Sequence, residues 1–238
     1  MKLLIMKTRS HYILFFALCT VILSCKKDNY DEPAATLNGR IVYNGEPLNF
    51  EYDKVSYELY QPGFGKTGAI RSVFTPEGLF SHLLFDGNYK LVVPAGQGPF
   101  VWKQTAAGKP DTIAITLKGT TKMDIEVMPY FMIRTPQLTF AGGKVTGTCK
   151  LEKIVTDANA KNIERVTLYI SKTQFADSQT NVATANLAGS AITDLNSVSL
   201  NVTVPALVPA QNYVFARIGV KFSGVDDMIF APAKKITF

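Results

Sequence analysis

Few residues of this 238-residue chain stand where side-chain chemistry would need them. Gly63-Phe-Gly65-Lys-Thr-Gly68 has the G-x-G-x-x-G spacing of a dinucleotide loop, but such a loop works by opening a helix whose amides face a pyrophosphate. Here Ile70 to Phe74 reads as a strand, so Pro62 to Gly68 is expected to be a flexible hairpin loop. Gly65-Lys66-Thr67 also matches the end of a P-loop, whose first glycine would fall at position 60, which is Tyr. His82 is the only histidine beyond His11, which leaves a His-based triad or a multi-histidine metal site without partners. It is expected in a strand, satisfied by a neighbour. Asp226 and Asp227 could be paired carboxylates, but adjacent strand residues point to opposite faces, so a solvated turn is expected rather than a glycosidase pair. These residues imply no enzyme, no metal and no cofactor.

Ligand binding has better candidates than catalysis. A sugar ring stacks its C–H groups on a flat aromatic face and takes hydrogen bonds from nearby polar groups. Trp102, the only Trp, lies close to Phe100 after the Pro94 to Pro99 loop, which is rich in Pro and Gly; Tyr60 and Phe64 flank a neighbouring loop. These four are the candidate stacking residues, and the competing expectation for Trp102 is packing under its own loop. Cys149 falls on the apolar side of the strand pattern Val145 to Leu151 and is expected to be a buried, inert thiol.

The elements that must position these groups are strands. Apolar residues make up 47% of the chain and charged residues 18%, a globular balance. From Leu37 onward a period of two dominates. Val55, Tyr57 and Leu59 alternate with Ser56, Glu58 and Tyr60, and the same pattern recurs at Tyr89 to Val93, Ile113 to Leu117, Val166 to Ile170 and Val198 to Val204. Asn44-Gly45 and Asp86-Gly87 are hairpin signals. Only Asp177 to Ala191 could hold a helical turn or a long loop. The fold expected is all-β, with two consecutive antiparallel β-sandwiches at 37–129 and 130–238, joined by an extended connector at Tyr130 to Pro136.

The N-terminus predicts a destination. Lys2, Lys7 and Arg9 precede the apolar run Tyr12 to Leu23 with no acid among them. This is a secretory signal peptide over 1–24, too short to span a bilayer. Ile22-Leu23-Ser24-Cys25 resembles the lipobox of bacterial lipoproteins, which implies that Cys25 carries the lipid and becomes the mature N-terminus, followed by a tether to residue 36. Several acyl chains, at about 0.8 kcal/mol per buried methylene, give a stable membrane anchor. Lys26-Lys27-Asp28 through Glu32 is similar to the tethers that send Bacteroidota lipoproteins to the outer face of the outer membrane. Cleavage removes three of the 25 basic residues and none of the 19 acidic ones, so the net charge falls from +6 to +3. With basic runs no longer than pairs, nucleic acid is not an expected partner.

Two resemblances refine the fold. Gly39 to Leu48, with Gly78-Leu-Phe80 and Gly87-Asn-Tyr89-Lys-Leu91, resembles carboxypeptidase-regulatory-like domains, which have a transthyretin-like sandwich. Leu207 to Arg217 is similar to the tyrosine corner of immunoglobulin and fibronectin type III sandwiches, which implies that the Tyr213 hydroxyl bonds to upstream backbone. The whole chain resembles two-domain surface lipoproteins of Bacteroidota associated with starch-utilisation-type outer-membrane transporters. That resemblance implies a non-catalytic accessory role in polysaccharide capture or uptake, beside a glycan transporter complex. The alternative is a structural or protein-interaction module of such a complex, or of an adhesin, that binds no glycan. Asp111-Thr112-Ile113 is similar to the O-glycosylation sites of the same phylum, which makes Thr112 a candidate.

Overall fold

The alternation in sequence becomes an alternation of burial in the computed structural model, which describes residues 31–63 and 68–238. Val55, Tyr57 and Leu59 are buried, whereas Ser56 and Glu58 are half-buried and Tyr60 is exposed. Strands of this kind gain stability only by laying the apolar face on a second layer. The first half carries β1 (Ala35–Tyr43), β2 (Glu46–Pro47), β3 (Asn49–Phe50), β4 (Ser56–Tyr60), β5 (Ile70–Val73) and β6 (Leu79–Leu84). It continues with β7 (Gly87–Val92), β8 (Phe100–Val101), β9 (Ile113–Leu117), β10 (Thr120–Glu126) and β11 (Met128–Pro129). The second half carries β12 (Phe131–Ala141), β13 (Lys144–Lys153), β14 (Ile163–Ser171) and β15 (Ala183–Ala188). A 3-10 turn at Gly189–Ala191 then leads to β16 (Val198–Thr203), β17 (Tyr213–Phe222), β18 (Met228–Phe230) and β19 (Lys234–Thr237).

The first half has two four-stranded sheets, β10-β1-β2 with β6 also on β1, and β5-β4-β7-β9. Asn44 (φ 49°) and Gly45 (φ 77°) close the β1–β2 hairpin, in the positive-φ pair that a tight hairpin turn requires. Asp86-Gly87 does not make the expected hairpin. β6 pairs with β1, while β7 pairs with β4 and β9, so this segment crosses from one sheet to the other. The crossing is fastened by Asp86 Oδ1, which accepts from Gly119 N at 2.9 Å, and by the Tyr89 hydroxyl, which donates to Phe85 O at 2.8 Å. β1 and β10 run parallel; the other pairings of named strands are antiparallel. Gly39 of β1 sits where no side chain fits, since a Cβ would lie 1.8 Å from Met123 O and 2.5 Å from the Phe80 ring.

In the second half β12-β13-β16 faces the larger sheet β15-β14-β17-β18-β3, to which β19 adds on β17. β3 comes from the first half by sequence, yet Phe50 registers with Ile229 and Asn49 with Phe230. The two halves therefore share a sheet as well as one continuous apolar core, and Ala34–Phe238 forms one compact unit.

Three expectations are corrected here. Tyr130 to Pro136 is not a connector, because Phe131 onward belongs to β12 and pairs with β13. Pro136 cannot donate to a ladder, and the strand accommodates it with a bulge between Arg134 and Gln137, where Thr135 stands at φ 45°. Within Asp177 to Ala191 the expected helical turn is present as the 3-10 turn Gly189–Ala191, but Ala183–Ala188 is a strand, because pairing from Ile170↔Ala183 to Arg165↔Ala188 overrides the weak β-propensity of Ala and Asn. At the Tyr213 corner the hydroxyl makes no hydrogen bond to upstream backbone among the described residues; instead the Gln211 side chain donates to Lys172 O (3.3 Å) and Tyr213 O (2.7 Å), and the Tyr213 ring carries Lys235 Nζ 3.9 Å from its centroid.

Candidate functional site

The loops that leave β7 and β8 meet the second half in a cleft of about 300 Å³. Pro94 to Phe100 forms one wall and Trp102 to Pro110 another; Tyr130, Ala158, Asn159, Lys161 and Val225 close it from the second half. The first wall is tied across the halves. Gly98 N donates to Asp227 Oδ2 at 2.6 Å and Tyr130 N donates to Pro99 O at 3.2 Å, while within the first half Gln97 Oε1 accepts from Ser56 N and Oγ at 3.1 and 2.9 Å. The second wall is a tight loop in which Thr105 N donates to Lys109 O and Gly108 N donates to Thr105 O. Three aromatic side chains, Phe100, Trp102 and Tyr130, thus face a rim that offers Gln97, Gln104, Asn159 and Lys161. A cleft with this mixture holds an apolar ring face and presents donors and acceptors to its edge.

The cleft brings together two of the four candidate stacking residues, but not as an open platform. Trp102 is 7% exposed and Phe100 3%. The indole Nε1 donates to Asp111 O at 2.8 Å, and the Phe100 ring packs 6.0 Å from that of Phe50. Both side chains are almost wholly buried, so little of either ring reaches the cleft, and Trp102 packs under its own loop. Tyr60 is exposed at the end of β4, donates to Glu58 at 2.6 Å and does not line the cleft. Phe64 and Cys25 lie outside the described residues. Thr112 is half-buried beside the second wall, where its N–H donates to Asp111 Oδ1 at 2.8 Å and its carbonyl accepts from Lys103 Nζ at 2.6 Å.

The remaining residues of chemical interest have structural partners. His82 Nε2 lies 2.7 Å from the Tyr57 hydroxyl, and burial holds its pKa below the ordinary 6.5. Cys149 is 4% exposed and burial pushes its thiol up to about 11, the opposite of what a nucleophile needs. The expected solvated Asp226-Asp227 turn is half right. Asp226 is exposed, but Asp227 is 5% exposed and turned toward Gly98, and burial raises its carboxyl pKa. Among the described residues no group of three His, Cys, Asp or Glu could hold a metal ion.

Family models match both halves. "Protein of unknown function (DUF3823) N-terminal domain" covers residues 35–128, and "Domain of unknown function (DUF3823_C)" covers 131–235. The chain belongs to the DUF3823 family. A DUF3823 family protein from Parabacteroides merdae is 34% identical, with a TM-score of 0.75 over 87% of this chain and 100% of that one. Another from Bacteroides ovatus is 30% identical, with a TM-score of 0.73 over 85% and 98%. A Bacteroides uniformis protein described as a candidate carbohydrate binder shares the fold at 18% identity, with a TM-score of 0.69 over 87% and 100%. No curated protein matches the chain. In this DUF3823 chain the cleft draws on residues from both family-matched regions.

Proposed function

We propose that this DUF3823 protein is a non-catalytic lipoprotein, anchored through Cys25 on the outer face of the outer membrane, that binds polysaccharide in the cleft between its halves. The observation that carries the reading is the lining of that cleft, with Phe100, Trp102 and Tyr130 beside the amide and ammonium groups of Gln97, Gln104, Asn159 and Lys161. Amides offer both donors and acceptors, which suits hydroxyl groups that are themselves both. Three of the carboxylates close in sequence to the lining are already engaged. Asp227 accepts from Gly98 N, Asp157 from Asn159 N, and Asp111 from Thr112 N while pairing with Lys103. That arrangement supports holding a sugar rather than cutting one. The same fold in a protein described as a candidate carbohydrate binder agrees with the reading.

Affinity electrophoresis of the mature chain against a polysaccharide panel tests it. At least one glycan is expected to retard the protein, and combined Gln104→Ala and Asn159→Ala substitution, which alters exposed side chains only, is expected to abolish the retardation. Folded protein retarded by no glycan would refute glycan capture. Cys25→Ala is expected to release the protein from membranes, and unchanged retention would refute the anchor.

A second reading has its own observation. β6 turns Leu79 and Leu83 outward at 45% and 63% exposure, a surface suited to a protein partner such as an outer-membrane transporter. Recovery of one stoichiometric transporter from membranes of cells grown without glycan, lost on Leu83→Asp, would favour it.

A further inference from the structure

A second cavity, of about 210 Å³, lies at Arg217 on the first part of β17, away from the cleft, which touches that hairpin only beyond the strand's end at Val225. Asn49 and Glu77 of the first half line it, with Gln174, Phe175, Phe215 and Arg217 of the second. We propose that this cavity is a separate sugar subsite that takes a neutral pyranose through two adjacent hydroxyl groups. The proposal shares only its ligand class with the cleft reading.

Arg217 is the anchor. It is 3% exposed, yet it has no carboxylate within ion-pair distance among the described residues. Its Nε donates to Ala231 O at 2.8 Å, its Nη2 donates to Pro76 O at 3.1 Å, and its guanidinium lies 4.4 Å from the centroid of the Phe230 ring. Nη1 has no hydrogen-bond partner among the described residues. Among the described residues no fully buried side-chain nitrogen or oxygen lacks a partner, so Nη1 is not sealed in protein, and Arg217 lines the cavity. Burial lowers the guanidinium to about 10, which leaves it charged at neutral pH and a strong donor.

The acids around it decide what it can hold. Glu51 accepts from Ser178 N and Oγ, and Asp177 accepts from Gln179 N, Thr180 N and Thr180 Oγ1. Both are committed to ordering the 177–180 segment. Glu77 is exposed on the cavity wall, and its side chain has no hydrogen bond or ion pair among the described residues. The cavity thus presents a cationic donor on its floor and an anionic acceptor on its wall, with the amides of Asn49 and Gln174 beside them. An anion would satisfy Arg217 but meet Glu77, and a cation would meet the reverse. Two neighbouring hydroxyls satisfy both, one accepting from Nη1 and the other donating to Glu77. The aromatic wall continues outward. Phe175 packs 5.0 Å from Tyr52, which is 53% exposed and offers a ring beside the cavity.

Saturation-transfer NMR of the full mature chain with methyl pyranosides of glucose, galactose, mannose and xylose, and separately with glucuronate and acetate, tests the assignment. Arg217 itself is left intact because its removal would disturb the fold. At least one neutral pyranoside is expected to receive saturation, and Glu77→Gln is expected to raise its Kd about tenfold, the loss of one charged hydrogen bond. Tyr52→Ala is expected to weaken it as well, while Gln104→Ala with Asn159→Ala in the cleft leaves it unchanged. The proposal fails if no neutral pyranoside receives saturation, or if the signal is lost only in the cleft variant, a result that leaves the cleft reading standing. It also fails if glucuronate or acetate binds and Glu77→Gln tightens that binding, which would make the cavity an anion site.

Discussion

Asp227 ties the two halves together through one buried carboxylate. It is 5% exposed, and its Oδ2 accepts from Gly98 N at 2.6 Å, which pins the Pro94 to Phe100 wall of the cleft to the second half. Asp227→Ala leaves that amide without an acceptor in a buried setting, a loss of about 2–3 kcal/mol. For a chain of this size that lowers Tm by about 4–12 °C. Asp227→Asn keeps an oxygen acceptor and removes the charge. Burial raises the Asp227 pKa above its ordinary 3.8, so the fold prefers the neutral form, and the Asp227→Asn variant is expected to be at least as stable as the parent at pH 7. The sign with pH follows from linkage. A raised folded pKa means stability that is fully present below the ordinary value and lost as pH rises through the folded value. The difference between the Asp227→Asn variant and the parent should therefore shrink as pH falls from 7 toward 4. Thermal unfolding at pH 7, 5.5 and 4 measures all three curves. An Ala variant as stable as the parent, or a difference that widens on acidification, would refute the role assigned to this carboxylate.

Three further outcomes follow from the same kind of accounting. Gly39→Ala forces a Cβ to within 1.8 Å of Met123 O; a backbone oxygen in a parallel ladder cannot give way, so a loss of at least about 3 kcal/mol is expected in chemical denaturation. Cys149, raised to about 11 from an ordinary 9.0, should react with iodoacetamide at pH 8 about a hundredfold more slowly than an exposed thiol before any steric protection is counted, and at the ordinary rate in urea. His82 has a folded pKa below 6.5, so the unfolded chain binds its proton more readily, and stability should be full above about pH 6.5 and decline as pH falls through the folded value. His82→Gln should flatten that part of the curve, and an unchanged slope would place the pH sensitivity elsewhere.

What the sequence revealed and what it hid divide along a physical line. Period-two alternation is local, and Val55, Tyr57, Leu59, Tyr89 and Leu91 all fall in the core as the pattern required. The buried thiol of Cys149 and the paired His82 were legible for the same reason, since each is a statement about one face of one strand. Pairing is not local. Asp86-Gly87 has hairpin chemistry, but β6 finds its partner in β1, 43 positions from Asn38 to Ser81, and nothing in the dipeptide reports that choice. The segment Asn49–Phe50 is too short to show any period, yet it completes a sheet whose other strands begin more than a hundred residues later.

The cleft was hidden more thoroughly, because its lining is an average over four loops. Trp102 and Phe100 could be found by composition alone, since a lone Trp after a Pro/Gly-rich loop is conspicuous. Tyr130, Asn159 and Lys161 could not, because each is an ordinary residue made relevant by the strand bridge that brings the second half against the first. The bridge also explains why aromatic composition misdescribed the surface. Once β3 pairs with β18, Phe50 is drawn into the shared core and Phe100 packs upon it, so the large apolar faces near the junction serve cohesion. What is left to meet a ligand is then the small exposed part of those rings and the amides around them. Any ligand recognised here must accordingly be read mainly by hydrogen bonds, with ring contact secondary. If the cleft binds glycan, removing the amides of Gln104 and Asn159 should therefore cost more affinity than Trp102→Phe, which keeps an aromatic ring in place; the reverse order would return the indole to the role of principal contact.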